Sequence, residues 1–302
     1  MKYLILIATV SMLALIAPGS CDKDSVQFWL NKSIEFYNYS HPQNDRLDAA
    51  LLCADKSISI GSNNSISWFQ KAMILNAMTD YEQAISCLDK ATELDPLYFD
   101  AWFHKGRSLS KKEIHRYDDA IKCYDICIQL KKDRNDAVAA WDQKGISFMK
   151  MGRYKEAIDS LNRSIKINPE SYYSYEMMGL TLVYLSNYES ALNCYEKAIH
   201  LVPAKNSMDR RHILMHKGLA LLFIEDYERS QRCFSEALEI DPYSFQCQFF
   251  NGLALQYMGD NSEADNSFEE CINILKRDIE SGIAFGLVNK RNQDLDVIAS
   301  LK

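Results

Sequence analysis

Apolar residues recur along this chain at helical rather than strand spacing, and the clearest run is 141–169, WDQKGISFMKMGRYKEAIDSLNRSIKINP. Trp141, Phe148 and Met149 lie at helical spacing with Gly145 among them, while Tyr154, Ala157, Ile158, Leu161 and Ile165 carry a second apolar stripe. Met151-Gly152-Arg153 separates the two. Asn168-Pro169 closes the second, because proline lacks the N–H that would continue a helix and disfavours a helical residue before it. The pattern predicts a helical hairpin whose arms cross at Gly145 and Ala157, where no long side chain holds the backbones apart. Such a hairpin leaves most of its apolar surface open and needs stacked neighbours.

The neighbours are present. Steps of 9, 12, 16 and 24 residues from Gly145 reach Tyr154, Ala157, Leu161 and Pro169. The same steps from Gly179 reach Tyr188, Ala191, Tyr195 and Pro203, and from Gly218 they reach Tyr227, Ser230, Phe234 and Pro242. From Ala72 they reach Tyr81, Ala84, Leu88 and Pro96. Gly106 needs two more residues to reach Tyr117, Ala120 and Tyr124, Gly252 leads to Ala264 and Phe268, and a degenerate first copy fits Trp29, Ser33, Leu47 and Ala50. These residues resemble the tetratricopeptide repeat family, whose W-x2-L-G-x2-Y, A-x3-F-x2-A and P positions recur across residues 26–276. The resemblance implies an all-α fold, a right-handed α-solenoid of about seven helix-turn-helix tetratricopeptide repeats. Repeat lengths alternate between 39 and 34 residues, and the extra residues fall in different places, which reads as independent loop insertion.

Both ends leave the pattern. In residues 1–20, Lys2 precedes an apolar run from Tyr3 to Ala17 that ends in Pro18-Gly19-Ser20-Cys21. The run is shorter than the roughly 20 residues a spanning helix needs, and its order is that of a secretory signal peptide. The alternatives are a short membrane anchor, or lipidation of Cys21, since Gly19-Ser20-Cys21 resembles the end of a bacterial lipobox with Pro18 in place of an aliphatic. Either way the expected location is exported, extracytoplasmic or at the cell surface, with any membrane contact made through this end. Residues 277–302 are expected to cap the last repeat, with Leu295, Ile298, Ala299 and Leu301 offering a short apolar face.

Composition narrows the function by exclusion. A net charge of −7 with scattered basic residues is unlike the basic stripe that nucleic-acid binding needs. No glycine-rich phosphate loop, G-x-S-x-G elbow or paired-carboxylate arrangement occurs, so no enzyme, cofactor or small-molecule substrate is expected. His212 and His216, and Cys123 and Cys127, stand one helical turn apart, but neither pair has the further ligands of a metal site. Of nine cysteines, Cys53, Cys87, Cys123, Cys194 and Cys233 each follow the small residue of a second helix by three, which reads as a row of packing residues.

What remains is a surface. In the tetratricopeptide family, successive first helices line a concave groove that binds peptides. The resemblance places in that groove Phe69, Met73, Phe103, Arg107, Ile146, Met149, Leu180, Val183, Met215, Leu219, Leu222, Phe249 and Leu253, together with Asn76, Ser110, Asp142, Glu176 and Gln256. Some members hold acidic C-terminal tails with a two-carboxylate clamp, a Lys directly after the Trp site and an Asn four residues on. No repeat here has either residue, and Asp142 and Glu176 would repel a carboxylate. The expected function is a non-enzymatic scaffold that grips an apolar peptide or amphipathic helix of a partner protein. A self-assembling structural protein, with the strip buried between copies, and a thiol-based redox sensor are the alternatives.

Overall fold

The computed structural model describes residues 25–38, 45–131 and 135–280, and among them the regular elements are all helices. In chain order these are α1 (Val26–Asn38), α2 (Asp45–Ile60), α3 (Ser65–Ala77), α4 (Tyr81–Leu94), α5 (Phe99–Leu109), α6 (Tyr117–Leu130), α7 (Asp136–Lys150), α8 (Tyr154–Ile167), α9 (Tyr172–Tyr184), α10 (Tyr188–Leu201), α11 (Ser207–Phe223), α12 (Tyr227–Ile240), α13 (Phe245–Met258) and α14 (Asn261–Glu280). The chain divides into two compact units, Met1–Met151 and Gly152–Lys302. The first holds the hairpins α1–α2, α3–α4 and α5–α6, followed by α7. The second holds α8, followed by the hairpins α9–α10, α11–α12 and α13–α14. Within each unit every helix packs on the next. The predicted leader at 1–20 lies outside the described residues, as does residue Cys21. The predicted cap at 277–302 lies outside them too, apart from the last turn of α14.

The hairpins close where the first helix gives up its side chain to the second. A Cβ on Gly179 would lie 2.6 Å from the Tyr195 ring, and one on Gly218 would lie 2.7 Å from that of Phe234. In α3 the pairing is inverted in size: Ala72 replaces the glycine and Leu88 the ring. Tyr195, Phe234 and Leu88 are fully buried, each contributing roughly 1.5–3 kcal/mol of apolar burial. In α1 the crossing is polar, with Ser33 Oγ donating to the Ala50 carbonyl at 2.9 Å.

A second crossing joins one hairpin to the next and again uses small residues. The buried hydroxyls of Ser57 and Ser67 lie 2.8 Å apart, those of Ser164 and Ser174 lie 3.0 Å apart, and Ala91 meets Ala101 in one cluster. Loops between hairpins are held by the Trp site: Trp68 Nε1 donates to the Ser62 carbonyl at 2.8 Å, and Trp102 Nε1 to that of Pro96 at 3.0 Å. Among the described residues, turns within hairpins end in a left-handed residue, which is Gly259 after α13 but Thr79, His115, Ser186 and Glu225 after α3, α5, α9 and α11. Asp80, Asn187 and Asp226 then cap the second helices by accepting from the backbone N–H three residues on.

Candidate protein-binding surface

Within the units, first helices also touch one another, α1 against α3, α9 against α11, and α11 against α13. The residues predicted to line a groove lie on these helices, but none of the apolar ones is fully exposed. In the first unit Phe69 packs against Tyr98 and His104, with ring centroids 5.1 and 5.5 Å away, and Phe103 lies 6.0 Å from both Phe99 and Tyr124. Met73, Ile146 and Met149 are half-buried, while Arg107 is exposed. In the second unit Leu180, Val183, Met215, Leu219, Leu222, Phe249 and Leu253 are all half-buried. Neighbouring repeats therefore cover part of every apolar position, leaving a low relief of side-chain edges on α9, α11 and α13.

The two acids of the predicted strip are withdrawn from it. Asp142 is 3% and Glu176 6% exposed, and Glu176 Oε1 lies 3.1 Å from Nδ1 of His216 on α11. Its other histidine, His212, contacts Arg211 Nη2 at 3.0 Å, and burial holds its pKa below the ordinary histidine value. Among the described residues no group of three or more His, Cys, Asp and Glu is placed to hold a metal ion.

In the first unit the face is polar at its centre. A cavity of about 290 Å³ opens between α1, α3 and α5, lined by Met73, Asn76, His104, Arg107, Ser108 and Lys111 among others. Burial pushes His104 down to about 4, with Arg107 adding to the shift, so its ring is neutral near pH 7. Ser108 Oγ lies 2.8 Å from Asn76 Oδ1.

The comparisons with known proteins fit this architecture. The family profile of the tetratricopeptide repeat matches residues 66–96 and 212–244, and that of anaphase-promoting complex, cyclosome, subunit 3 matches residues 113–198. The chain is a tetratricopeptide-repeat protein. It is 26% identical over 144 residues to anaphase-promoting complex subunit 3 of Schizosaccharomyces pombe, an alignment covering 48% of this chain and 21% of that one. It is 22% identical over 191 residues to a TPR repeat-containing protein of Methanocaldococcus jannaschii, covering 58% and 33%. The chain thus spans a third or less of the length of these curated relatives. Among solved structures, yeast Tom70 superposes with a TM-score of 0.66 at 17% identity over 92% of this chain and 55% of that one. PilW, described as a type IV pilus biogenesis factor, gives 0.62 at 15% identity over 74% and 96%. Tetratricopeptide-repeat proteins are protein-interaction scaffolds.

Two further features of the repeats bear on function. Cys53, Cys87, Cys123, Cys127, Cys233, Cys247 and Cys271 are buried and Cys194 is half-buried, and all eight are free thiols. Burial pushes Cys53 and Cys127 up to about 12 and Cys87, Cys123, Cys194, Cys233 and Cys271 up to about 11. A redox sensor needs the reverse, an accessible thiol with a lowered pKa.

The other feature escaped the sequence reading. The tyrosines that open α4, α6, α8, α10 and α12 lie against the end of the next first helix, and the partner changes between the units. In the first, Tyr81 carries Lys111 at 5.4 Å and Tyr117 carries Lys150 at 5.8 Å. In the second, Tyr154 stacks on Tyr184, Tyr188 on Phe223 and Tyr227 on Tyr257, at 5.4, 5.6 and 5.0 Å. Tyr184, Phe223 and Tyr257 remain 56%, 61% and 63% exposed, and exposed Leu185, Ile224 and Met258 follow them. The signal was available as an aromatic–aliphatic pair nine and ten residues after Tyr175, Leu214 and Gln248.

Proposed function

We propose that the chain is an exported, non-enzymatic scaffold that takes a peptide or amphipathic helix of a partner protein on the first-helix face of its repeats. One observation carries this: Leu180, Leu219 and Leu253 occupy the same register on α9, α11 and α13, and each keeps part of its side chain open. A partner side chain seated over such a row buries apolar surface against three helices at once, the geometry by which amphipathic helices and extended segments dock. Binding energy then concentrates in a few contacts, each costing roughly 2 kcal/mol or more when truncated. Export rests on the charge–apolar–small order of residues 1–20.

The test uses Leu180→Asp and Leu219→Asp in protein expressed in its own host. Capture of the partner is expected to be lost while the helical circular dichroism and melting curve are kept. Unchanged capture by both folded variants overturns the reading. Self-association is the second reading, and the exposed row Tyr184, Phe223 and Tyr257 favours it. Light scattering on residues 22–302 separates the two, a monomer supporting the scaffold.

A further inference from the structure

We infer that the hairpin-turn edge of the second unit docks an extended, arginine-bearing segment of a partner protein, one arginine to each repeat. This edge is separate from the row Leu180, Leu219 and Leu253, and the inference does not rest on that row.

Among the described residues of this unit nine large apolar side chains are exposed, and six of them gather on this edge: Tyr184, Leu185, Phe223, Ile224, Tyr257 and Met258. They stand at the ends of α9, α11 and α13, first helices that touch in turn, so the three pairs form one row. Each ring lies nearly parallel to the tyrosine beneath it, at 4°, 17° and 18°. One face is thereby covered, and with more than half of each residue exposed the other is left to solvent. The first unit shows what this register accepts, because there the ammonium groups of Lys111 and Lys150 lie over Tyr81 and Tyr117. The second unit puts a ring in the lysine's place, which turns a filled cation site into an open one.

Charge selects the occupant. The three turns, residues 184–190, 223–229 and 257–263, carry six acids and one base, Arg229, which pairs with Asp226 at 2.7 Å. Glu189, Glu225, Asp260 and Glu263 are exposed. The helix dipole favours acids in a first turn, but Glu225 precedes the cap of α12 and lies outside that helix. It sits beside the Tyr227–Tyr257 stack, where it helps, after desolvation, to push the Tyr227 pKa up. A second copy would bring these carboxylates against their own kind, and an anionic bilayer would be repelled in the same way. A guanidinium suits both features, since its plane stacks on an aromatic face while its N–H groups fork onto a carboxylate. Spacing then sets the form of the segment. Touching helices lie about 8–10 Å apart, and a polyproline II chain returns a side chain to the same face every three residues, about 9 Å. Leu185, Ile224 and Met258 give the intervening residues apolar contact.

The experiment measures binding of the full chain to a fluorescent peptide of repeated Arg-Pro-Pro, and to its twin with citrulline for arginine, which keeps the shape and removes the charge. The arginine peptide is expected to bind about ten-fold tighter at low salt, the gap narrowing as salt is added. Tyr184→Ser/Phe223→Ser/Tyr257→Ser keeps every charge and is expected to close most of the gap, whereas Tyr184→Phe/Tyr257→Phe preserves it. Glu189→Gln/Glu225→Gln/Glu263→Gln leaves the rings in place and is expected to narrow it as well. Equal binding of the two peptides, binding of neither, or an unchanged gap in the folded Ser or Gln variant overturns the inference. Dimerisation in sedimentation velocity, or binding to phosphatidylcholine vesicles, that the Ser variant loses overturns it too, by assigning the row to a second copy or to lipid.

Discussion

At the scale of single residues, two positions show chemistry held against its solution preference. His104 sits among Phe69 and Phe103, and its pKa falls from 6.5 to about 4 through burial first and Arg107 second. A depressed folded-state pKa means that between about pH 4 and 6.5 the unfolded chain binds more protons than the folded one. Stability therefore falls as pH drops through that window and levels off below it, by roughly 3 kcal/mol. Chemical denaturation of the wild type and His104→Gln at pH 7 and pH 4 checks this: the variant is expected to lose less stability on acidification by about that amount. Glu225 is the second position, with φ of 62° in an exposed turn. An L-residue pays roughly 1–2 kcal/mol in that left-handed region, and glycine removes the clash at some cost in chain entropy. Glu225→Gly is expected to raise stability by a few tenths to about 1 kcal/mol, read as a higher denaturant midpoint with unchanged slope.

At the scale of elements, what the sequence made legible was whatever repeats at constant spacing within one hairpin. The small-residue crossings, the opening tyrosine and the closing proline fall at the same steps from Ala72, Gly145, Gly179 and Gly218, so the helical hairpins could be read directly. Contacts between hairpins were not legible. The lysine–acid rungs span 16, 16, 19 and 21 residues for Lys71–Asp55, Lys105–Asp89, Lys144–Asp125 and Lys217–Glu196, because loop insertions vary between them. A fixed-period search cannot see them. The cysteine row could be seen, because Cys53, Cys87, Cys123, Cys194 and Cys233 keep one register inside their helices. Replacing all five with Ala removes buried or half-buried sulfur and is expected to cost about 1 kcal/mol per site, roughly additive across separate hairpins. Partner binding by the folded variant should be unchanged, measured by the same capture assay. A folded five-fold variant that loses binding would show that the row serves more than packing.

At the scale of the whole molecule, the tetratricopeptide architecture follows from hairpins that cannot bury their own apolar faces, and the family comparisons agree with it. The binding surface was less legible. Spacing could place Phe69, Phe103 and Phe249 on first helices but could not show that neighbouring rings cover much of each. Nor could it show that Asp142 and Glu176 are buried, since an acid at a groove position reads as exposed until its surroundings are known. The cavity at Arg107 and Lys111 is assembled from residues of three helices, which no local pattern records. The central claim is that a partner segment lies along α9, α11 and α13. Site-specific photo-crosslinking in the native host tests it most directly, with a photoreactive residue placed at Leu219 and, as control, at exposed Arg163 on α8. The account predicts a discrete adduct with one protein from position 219 that is absent from position 163. No adduct from 219, or the same adduct from both positions, would contradict it.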